Sequence, residues 1–549
     1  MAEDGLPPYK VETSLVTPSE NVEEAVSVKE GCFNEWLHDF SFTQKVGVVL
    51  SVIVLIVVYS IELSDEFPKA NDTLACSLFI TIWWIFEVMP VAMTSILPVI
   101  IFPLAGITSG RDTASRYYNF IQFLFIGAFL VVVAIEEVKA HKRFALKVVS
   151  YIGTKPKRIL AGLMFVAFIL SMFASNTSTT ILLVPIVSGL VHGEQTEDAK
   201  RFEKGALLGI AYAATSGGLA TLIGTLPNGI FAGVFSETYP DAEEITFSKW
   251  MGFALPAAIL MALSSWVVVG FMYMRNLKIN LSNETILDDL KALGPVSRDE
   301  KFLLAAILFM LTLFLVRPEG ISPYVGECSI SSSNSSTSNE FDCEDVGGVW
   351  TSFIDDGTMS CLAATVLFFL PSEKRKGERI LTAESFNHIR FDMLLLFGAG
   401  FAIANAFTVS GLSIVIGDLF STFVNELSPF ATVLMITFVV CYFTEMTSNT
   451  ATSSILIPIM LGVATTTETN PYLLGLPVTL GASLAFMLPI ATPPNTVVYS
   501  TGKVTFADMM KAGFILNNIG IIVVTGTVFS TGNIFTDLQD FPAFAAADP

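Results

Sequence analysis

The sequence predicts an all-α polytopic membrane protein with eleven transmembrane helices and two re-entrant hairpins, built as two inverted-topology repeats. Three observations predict it. Of 549 residues, 52% are hydrophobic and only 15% charged, with a mean hydropathy of +0.64, whereas soluble domains carry about 25% charged residues. Many apolar runs reach about 20 residues, the length that crosses a hydrocarbon core of roughly 30 Å. Polar and Gly/Pro interruptions then recur at a near-constant offset. Ser175-Asn176-Thr177 and Ser448-Asn449-Thr450 lie 273 residues apart, the Pro-Asn pairs ending at Asn228 and Asn495 lie 267 apart, and Gly127 and Gly398 lie 271 apart. Matching interruptions in two hydrophobic halves mark one unit used twice and point to a binding site between the copies.

In chain order, residues 1–42 hold Glu3, Asp4, Glu12, Glu20, Glu23, Glu24 and Glu30 and no apolar run. This stretch lacks the hydrophobic region of a cleaved signal peptide and is expected to be a disordered cytosolic tail. Residues 43–118 supply scaffold spans near 43–63, 73–89 and 90–106. Repeat 1, residues 119–273, carries spans near 119–138, 158–191 and 249–273. Its segment 205–233 is broken centrally at Gly224-Thr225-Leu226-Pro227-Asn228 and is expected to form a re-entrant hairpin. Residues 274–390 are a linker with spans near 302–316 and 356–371 around a Ser/Asn-rich external loop, 317–355. Repeat 2, residues 391–535, carries spans near 391–412, 431–462 and 510–532, with its hairpin expected at 472–502. Residues 536–549 form an external tail. Backbone freed at such breaks is tolerated only where protein or a wet cavity surrounds it.

Lys/Arg bias sets the direction. Loops 139–158, 274–301 and 372–390 hold 17 basic residues, against 7 in segments 64–72, 107–118, 192–204, 317–355 and 413–430. The first group is therefore assigned to the cytoplasm, with the N-terminus inside and the C-terminus outside. The sequon at Asn334 then falls outside and those at Asn280 and Asn283 inside. Cys328, Cys343 and Cys361 border the external loop, where a disulfide and free thiols are both compatible with the sequence. The four histidines are isolated, no nucleophile–base pair stands out and no basic stripe suggests nucleic acid. These features speak against an enzyme.

The polar groups at the four breaks are hydroxyls, amides and backbone carbonyls. Ser171, Ser175, Asn176, Thr177 and Gly224 belong to one half; Thr444, Thr447, Ser448, Asn449, Thr450 and Ala491 belong to the other. Neutral oxygens suit Na⁺ better than Ca²⁺, which recruits carboxylates. An unwound helix aims carbonyls at a cation and free N–H groups at an anion. No Lys or Arg flanks either triplet; the nearest to the second break is Lys503. An anion held here is thus neutralised by co-bound cations and helix ends, which makes symport the expected mode. Glu445, beside the second triplet, is open to a functional role or to a helix-orienting hydrogen bond.

Ser483 to Asn495 (Ser-Leu-Ala-Phe-Met-Leu-Pro-Ile-Ala-Thr-Pro-Pro-Asn) followed by Gly502 resembles the signature of the divalent anion/sodium symporter family. Thr444-Glu445-Met446-Thr447-Ser448-Asn449-Thr450 and Ser175-Asn176-Thr177 are similar to its two Ser-Asn-Thr motifs. The resemblance runs from about residue 43 to the C-terminus. It implies sodium-coupled transport of di- or tricarboxylates, with sulfate or phosphate symport and sodium-independent carboxylate exchange as the alternatives. It also implies a homodimer in the lipid bilayer, elevator-like movement and two sodium sites. The first site would use Ser171, Ser175, Asn176 and the backbone near Gly224; the second, Thr444, Thr447, Asn449 and the backbone near Ala491. Substrate carboxylates would meet Ser175, Asn176, Thr177, Ser448, Asn449, Thr450 and Pro493. Leu226 departs from the Gly or Pro common before Pro-Asn. No organelle signal is evident, so the plasma membrane is the expected residence.

Overall fold

The computed structural model describes residues 40–152, 155–191, 196–277, 279, 284–317, 321–329 and 349–546. Residues 1–39 of the acidic tail, the sequons at Asn280, Asn283 and Asn334, and Cys343 lie outside the described residues, as does the side chain of Cys328; Ser41 and Phe42, expected in the tail, already open the first helix. The described chain is predominantly helical. Helix starts are written into the sequence by capping residues. Ser41, Asn119, Thr196, Thr246, Ser297, Asp355, Ser428 and Thr505 each accept a backbone N–H of the first helical turn. Among the described residues, five helical stretches are long and apolar enough to cross a membrane, including Phe42–Tyr59, Phe247–Tyr273 and Phe391–Val409. Ile53, Phe165, Leu304, Phe438 and Ile522 are exposed on the outside of the bundle, as expected of lipid-facing side chains. Two short antiparallel strands, Gly326–Ser329 and Val349–Ser352, close the base of the 317–355 loop, with Gly326 opposite Ser352.

Ion pairs gather the predicted cytoplasmic loops into one basic face. Arg143 Nε donates to Glu300 Oε1 at 2.7 Å, Arg375 pairs with Glu137 at 2.8 Å, and Lys374 Nζ reaches the Val138 carbonyl at 3.0 Å. Segments 139–158 and 274–301 are more ordered than loops: they contain helices Ala140–Ile152 and Glu284–Ala292, which pack together. Span 90–106 is interrupted, with Val91–Thr94 and Leu97–Leu104 as separate helices. At the opposite face Arg317, only 2% exposed, donates to Asp356 at 2.9 Å and Glu244 at 3.0 Å. Arg116 pairs with Glu237 on that same face. Cys361 is a free thiol, its Sγ 3.4 Å from the Phe123 carbonyl oxygen.

These two faces correct the expected placement of the hairpins. Residues 197–238 form helices α1 (Glu197–Leu219) and α2 (Leu226–Thr238) around the first Pro-Asn break. The start of α1 lies at the basic face: Lys204 pairs with Asp508 at 2.7 Å, and Arg201 reaches the Met272 carbonyl at 3.4 Å. The end of α2 lies at the opposite face, where Glu237 meets Arg116. Segment 205–233 therefore runs from face to face and is not a hairpin. The fold-back element is instead the expected span 158–191. It comprises α3 (Pro156–Ser171) and α4 (Asn176–Leu190), which pack on each other and turn at residues 172–175. Ser188 Oγ returns to the basic face to donate to Glu203 at 3.0 Å.

The second half repeats the pattern from the other side. Helices α5 (Pro429–Thr444) and α6 (Asn449–Thr466) fold back, and Thr465 and Leu461 meet the Tyr239 hydroxyl at the opposite face. Helices α7 (Pro471–Gly481) and α8 (Pro493–Ser500) then run to the basic face, where Lys503 lies 3.6 Å from Glu203. The physical reason was visible in length. A 34-residue helical run would extend about 50 Å at 1.5 Å per residue, well beyond one crossing. Moving Lys200, Arg201 and Lys204 to the basic face also sharpens the charge asymmetry from 17 against 7 to 20 against 4.

Candidate cation and anion site

Each triplet sits at the turn of a fold-back pair, against the break of a crossing segment. In the first half Ser171, the last residue of α3, is fully buried, and its hydroxyl donates to Asn176 Oδ1 at the start of α4. The Asn176 amide lies flat on Gly218 near the end of α1; a Cβ there would stand 2.8 Å from its Oδ1. Gly224 closes onto the same place, because its own Cβ would come within 2.6 Å of the Gly218 carbonyl oxygen. Ser171, Asn176 and the backbone near Gly224, expected to share a cation, are thus assembled around Gly218. The signal for Gly218 was the Gly217-Gly218 pair inside a helix, where close backbone approach is the usual reason.

In the second half Thr444 Oγ1 lies 2.8 Å from both Asn449 Oδ1 and the Ala482 carbonyl oxygen. The Ala482 carbonyl, at the end of α7, thus lies beside the Thr444–Asn449 pair. Ala491, whose backbone was expected there, donates its N–H to Leu488 at 3.2 Å, as Gly224 donates its own to Thr221 at 3.2 Å in the first half. The Thr447 hydroxyl lies 2.6 Å from Thr452 Oγ1 and 3.2 Å from the Phe443 carbonyl. The loop is braced by Glu445, 3% exposed. Its carboxylate accepts N–H bonds from Phe486, Met487 and Leu488 at 2.8–2.9 Å and from Asn517 Nδ2 at 2.8 Å. The helix-orienting reading of Glu445 is what these bonds describe. In the first half Met172 holds the corresponding position, and its carbonyl accepts from the Thr221 hydroxyl.

The groups expected to meet the anion lie in the first turns of α4, α6 and α8. Ser175 caps α4 by accepting from Ser178 N–H at 3.4 Å. Ser448, at the start of α6, makes no side-chain cap and is exposed. Thr177 is half-buried, Thr450 is buried and Pro493 begins α8 with an exposed ring. Four helices thus begin at the breaks and four end there, so free N–H groups and free carbonyls meet in one region. The packing is crossed: α4 lies against α8, and α2 lies against α6. No hydrogen bond joins the two triplets directly among the described residues. Lys503 stays with Glu203, so the region holds carbonyls, amides and hydroxyls without a basic side chain. No cluster of His, Cys, Asp and Glu suited to a transition metal occurs among the described residues.

A multi-pass integral membrane protein with a polar site at the breaks of its own helices is the class that fold and site define. Residues 42–536 match the family model described as the sodium:sulfate symporter transmembrane region. The chain belongs to that family, the divalent anion/sodium symporters. Among curated relatives it is similar to the sodium-dependent dicarboxylate transporter SdcS of Staphylococcus saprophyticus, 33% identical over 494 residues, 88% of this chain and 89% of that protein. SdcS of Staphylococcus aureus is 32% identical over 507 residues, covering 89% and 91%. In fold, it is similar to the Alcanivorax borkumensis YdaH transporter, with a TM-score of 0.53 at 12% identity, covering 83% of this chain and 99% of that one. MtrF of Neisseria gonorrhoeae gives 0.55 at 11% identity, covering 82% and 96%. At such identities the likeness concerns the fold alone.

Proposed function

We propose that this protein is a sodium-coupled secondary active symporter of di- or tricarboxylates of the succinate, malate and citrate class. The observation that carries the reading is the twinned pair Ser171–Asn176 and Thr444–Asn449, each packed on the backbone of a broken helix with no basic side chain beside it. The curated relatives, named for sodium-dependent dicarboxylate transport, support the same substrate class. Two sodium ions would bind first, one in each half, held by Ser171, Ser175, Asn176 and Gly224 backbone, and by Thr444, Thr447, Asn449 and Ala491 backbone. Their charge, with the N-termini of α4 and α6, then receives the carboxylates at Ser175, Asn176, Thr177, Ser448, Asn449, Thr450 and Pro493.

The topology in this reading keeps eleven crossings, with the re-entrant elements at 156–190 and 429–466, entering from opposite faces as inverted repeats. The N-terminus lies in the cytoplasm, the C-terminus outside, and the protein acts as a homodimer in the plasma membrane. The segments that carry the site move as one body past residues 43–138 and 298–409, an elevator-type alternating access. Uptake of labelled succinate, sulfate and phosphate into proteoliposomes, with sodium or choline outside, tests the assignment. Sodium-dependent succinate uptake is expected. Asn176→Ala and Asn449→Ala should each abolish it, and accumulation unchanged in choline would overturn the reading.

A further inference from the structure

The two Pro-Asn asparagines were singled out by their repetition, and the site as described leaves them without a role. Both are fully buried. Asn228 Nδ2 donates to the carbonyls of Gly218 at 3.1 Å, Leu219 at 3.3 Å and Thr221 at 2.7 Å. Asn495 Nδ2 donates to the carbonyls of Ala485 at 3.2 Å and Leu488 at 3.0 Å. Gly218 corresponds to Ala485, and Thr221 to Leu488, at the same 267-residue offset that relates the asparagines. Each amide therefore clasps its own break by the same two carbonyls. In both, the other end of the amide is left over: Asn228 Oδ1 and Asn495 Oδ1 are buried acceptors with no hydrogen-bond partner.

A buried carbonyl oxygen without a partner is costly, more so far from water. The same cost at two equivalent positions calls for a common partner. That partner must be a donor or a cation, and a neutral amide oxygen is a hard ligand suited to an alkali ion. In the first half the asparagine is one residue from the cation cluster, since Gly218 is clasped by Asn228 on one side and covered by Asn176 on the other. We propose that Asn228 and Asn495 each present Oδ1 to the sodium ion of their own half, so that one amide both shapes the break and binds the ion. The inference rests on the symport reading above and adds one ligand to each of its sites.

Heating purified wild type and the variants N228A, N228D, N495A and N495D in detergent, over a range of sodium concentrations against choline, tests it. An aspartate keeps an oxygen at that position while losing the N–H₂ clasp. The alanine variants are expected to need at least about tenfold more sodium for the same thermal stabilisation, whereas the aspartate variants retain a sodium response. Succinate uptake measured against sodium gives a second readout from folded protein alone, with half-saturating sodium raised about tenfold in the alanine variants. Wild-type sodium titration in both alanine variants would overturn the proposal. So would equal loss of the response in the alanine and aspartate variants, because the clasp alone would then explain the residue. A wild type that ignores sodium would overturn the symport reading itself, which separates the two failures.

Discussion

Lys204 and Asp508 meet as an ion pair at 2.7 Å, which brings the start of α1 to the start of the final helix, Phe506–Thr531. The first prediction follows from that pairing. A Lys204→Cys substitution will be modified by a membrane-impermeant maleimide from the same side as Lys147→Cys. Modification from the side that reaches Arg111→Cys would return 192–204 to the external face and undo the crossing assigned to 197–238.

Glu445 gathers three backbone N–H groups and one side-chain amide in a buried loop. Removing the carboxylate leaves those donors unsatisfied, at about 1–3 kcal/mol for each buried group left bare. Glu445→Ala is therefore expected to lower the melting temperature sharply and uptake with it. Glu445→Gln should be milder, since its amide oxygen still accepts. An alanine variant as heat-stable as wild type would refute the brace.

At the opposite face Arg317 and Asp356 are a buried pair, each 2% exposed. Breaking such a pair from one side costs about 3–5 kcal/mol, whereas replacing both partners with apolar residues of similar volume is often near neutral. Arg317→Met alone is expected to be strongly destabilising, and Arg317→Met with Asp356→Leu less so, because no half of the buried pair is then left charged, although Glu244, the Ile354 carbonyl, the Ser322 hydroxyl and the Phe247 N–H lose partners. Thermal unfolding of wild type, Arg317→Met, Asp356→Leu and the double variant measures this. A double variant worse than the sum of the singles would contradict it.

Helix α2 presents Gly229 and Gly233, one turn apart, to an aromatic wall. A Cβ at Gly229 would stand 2.4 Å from the Phe125 ring, and one at Gly233 2.3 Å from the Phe401 ring. Here α2 faces the helices Phe120–Val138 and Phe391–Val409, and α6 packs on the latter as well. Gly233→Ala is expected to cost about 1–3 kcal/mol by overpacking and to slow succinate uptake several-fold. Uptake at the wild-type rate would show that this surface does not limit movement.

Much of the site was legible because its chemistry repeats. Asn176 and Asn449 share one offset, and each is tied in the structure to the hydroxyl five residues earlier, Ser171 or Thr444. Which element folds back was not read correctly, because hydropathy registers an apolar run and not its direction. Runs 158–191 and 205–233 look alike on that measure. Their lengths and the basic residues Lys200, Arg201 and Lys204 held the missing information. Ala482 was missed as the partner of Thr444 because only a backbone carbonyl is involved, and any residue carries one. Glu445 as a brace was equally invisible, since its donors lie 41 to 72 positions away.

The crossed packing of α2 on α6 and of α4 on α8 also bears on when the fold can close during synthesis. Each half leaves the ribosome with a face that only the other half covers. The N-terminal half must wait in the bilayer, incompletely packed, until residues 449–500 have been synthesised and inserted. Assembly closes late, and a chain cut in the 274–390 linker would leave two fragments, each lacking the partner it was shaped to meet.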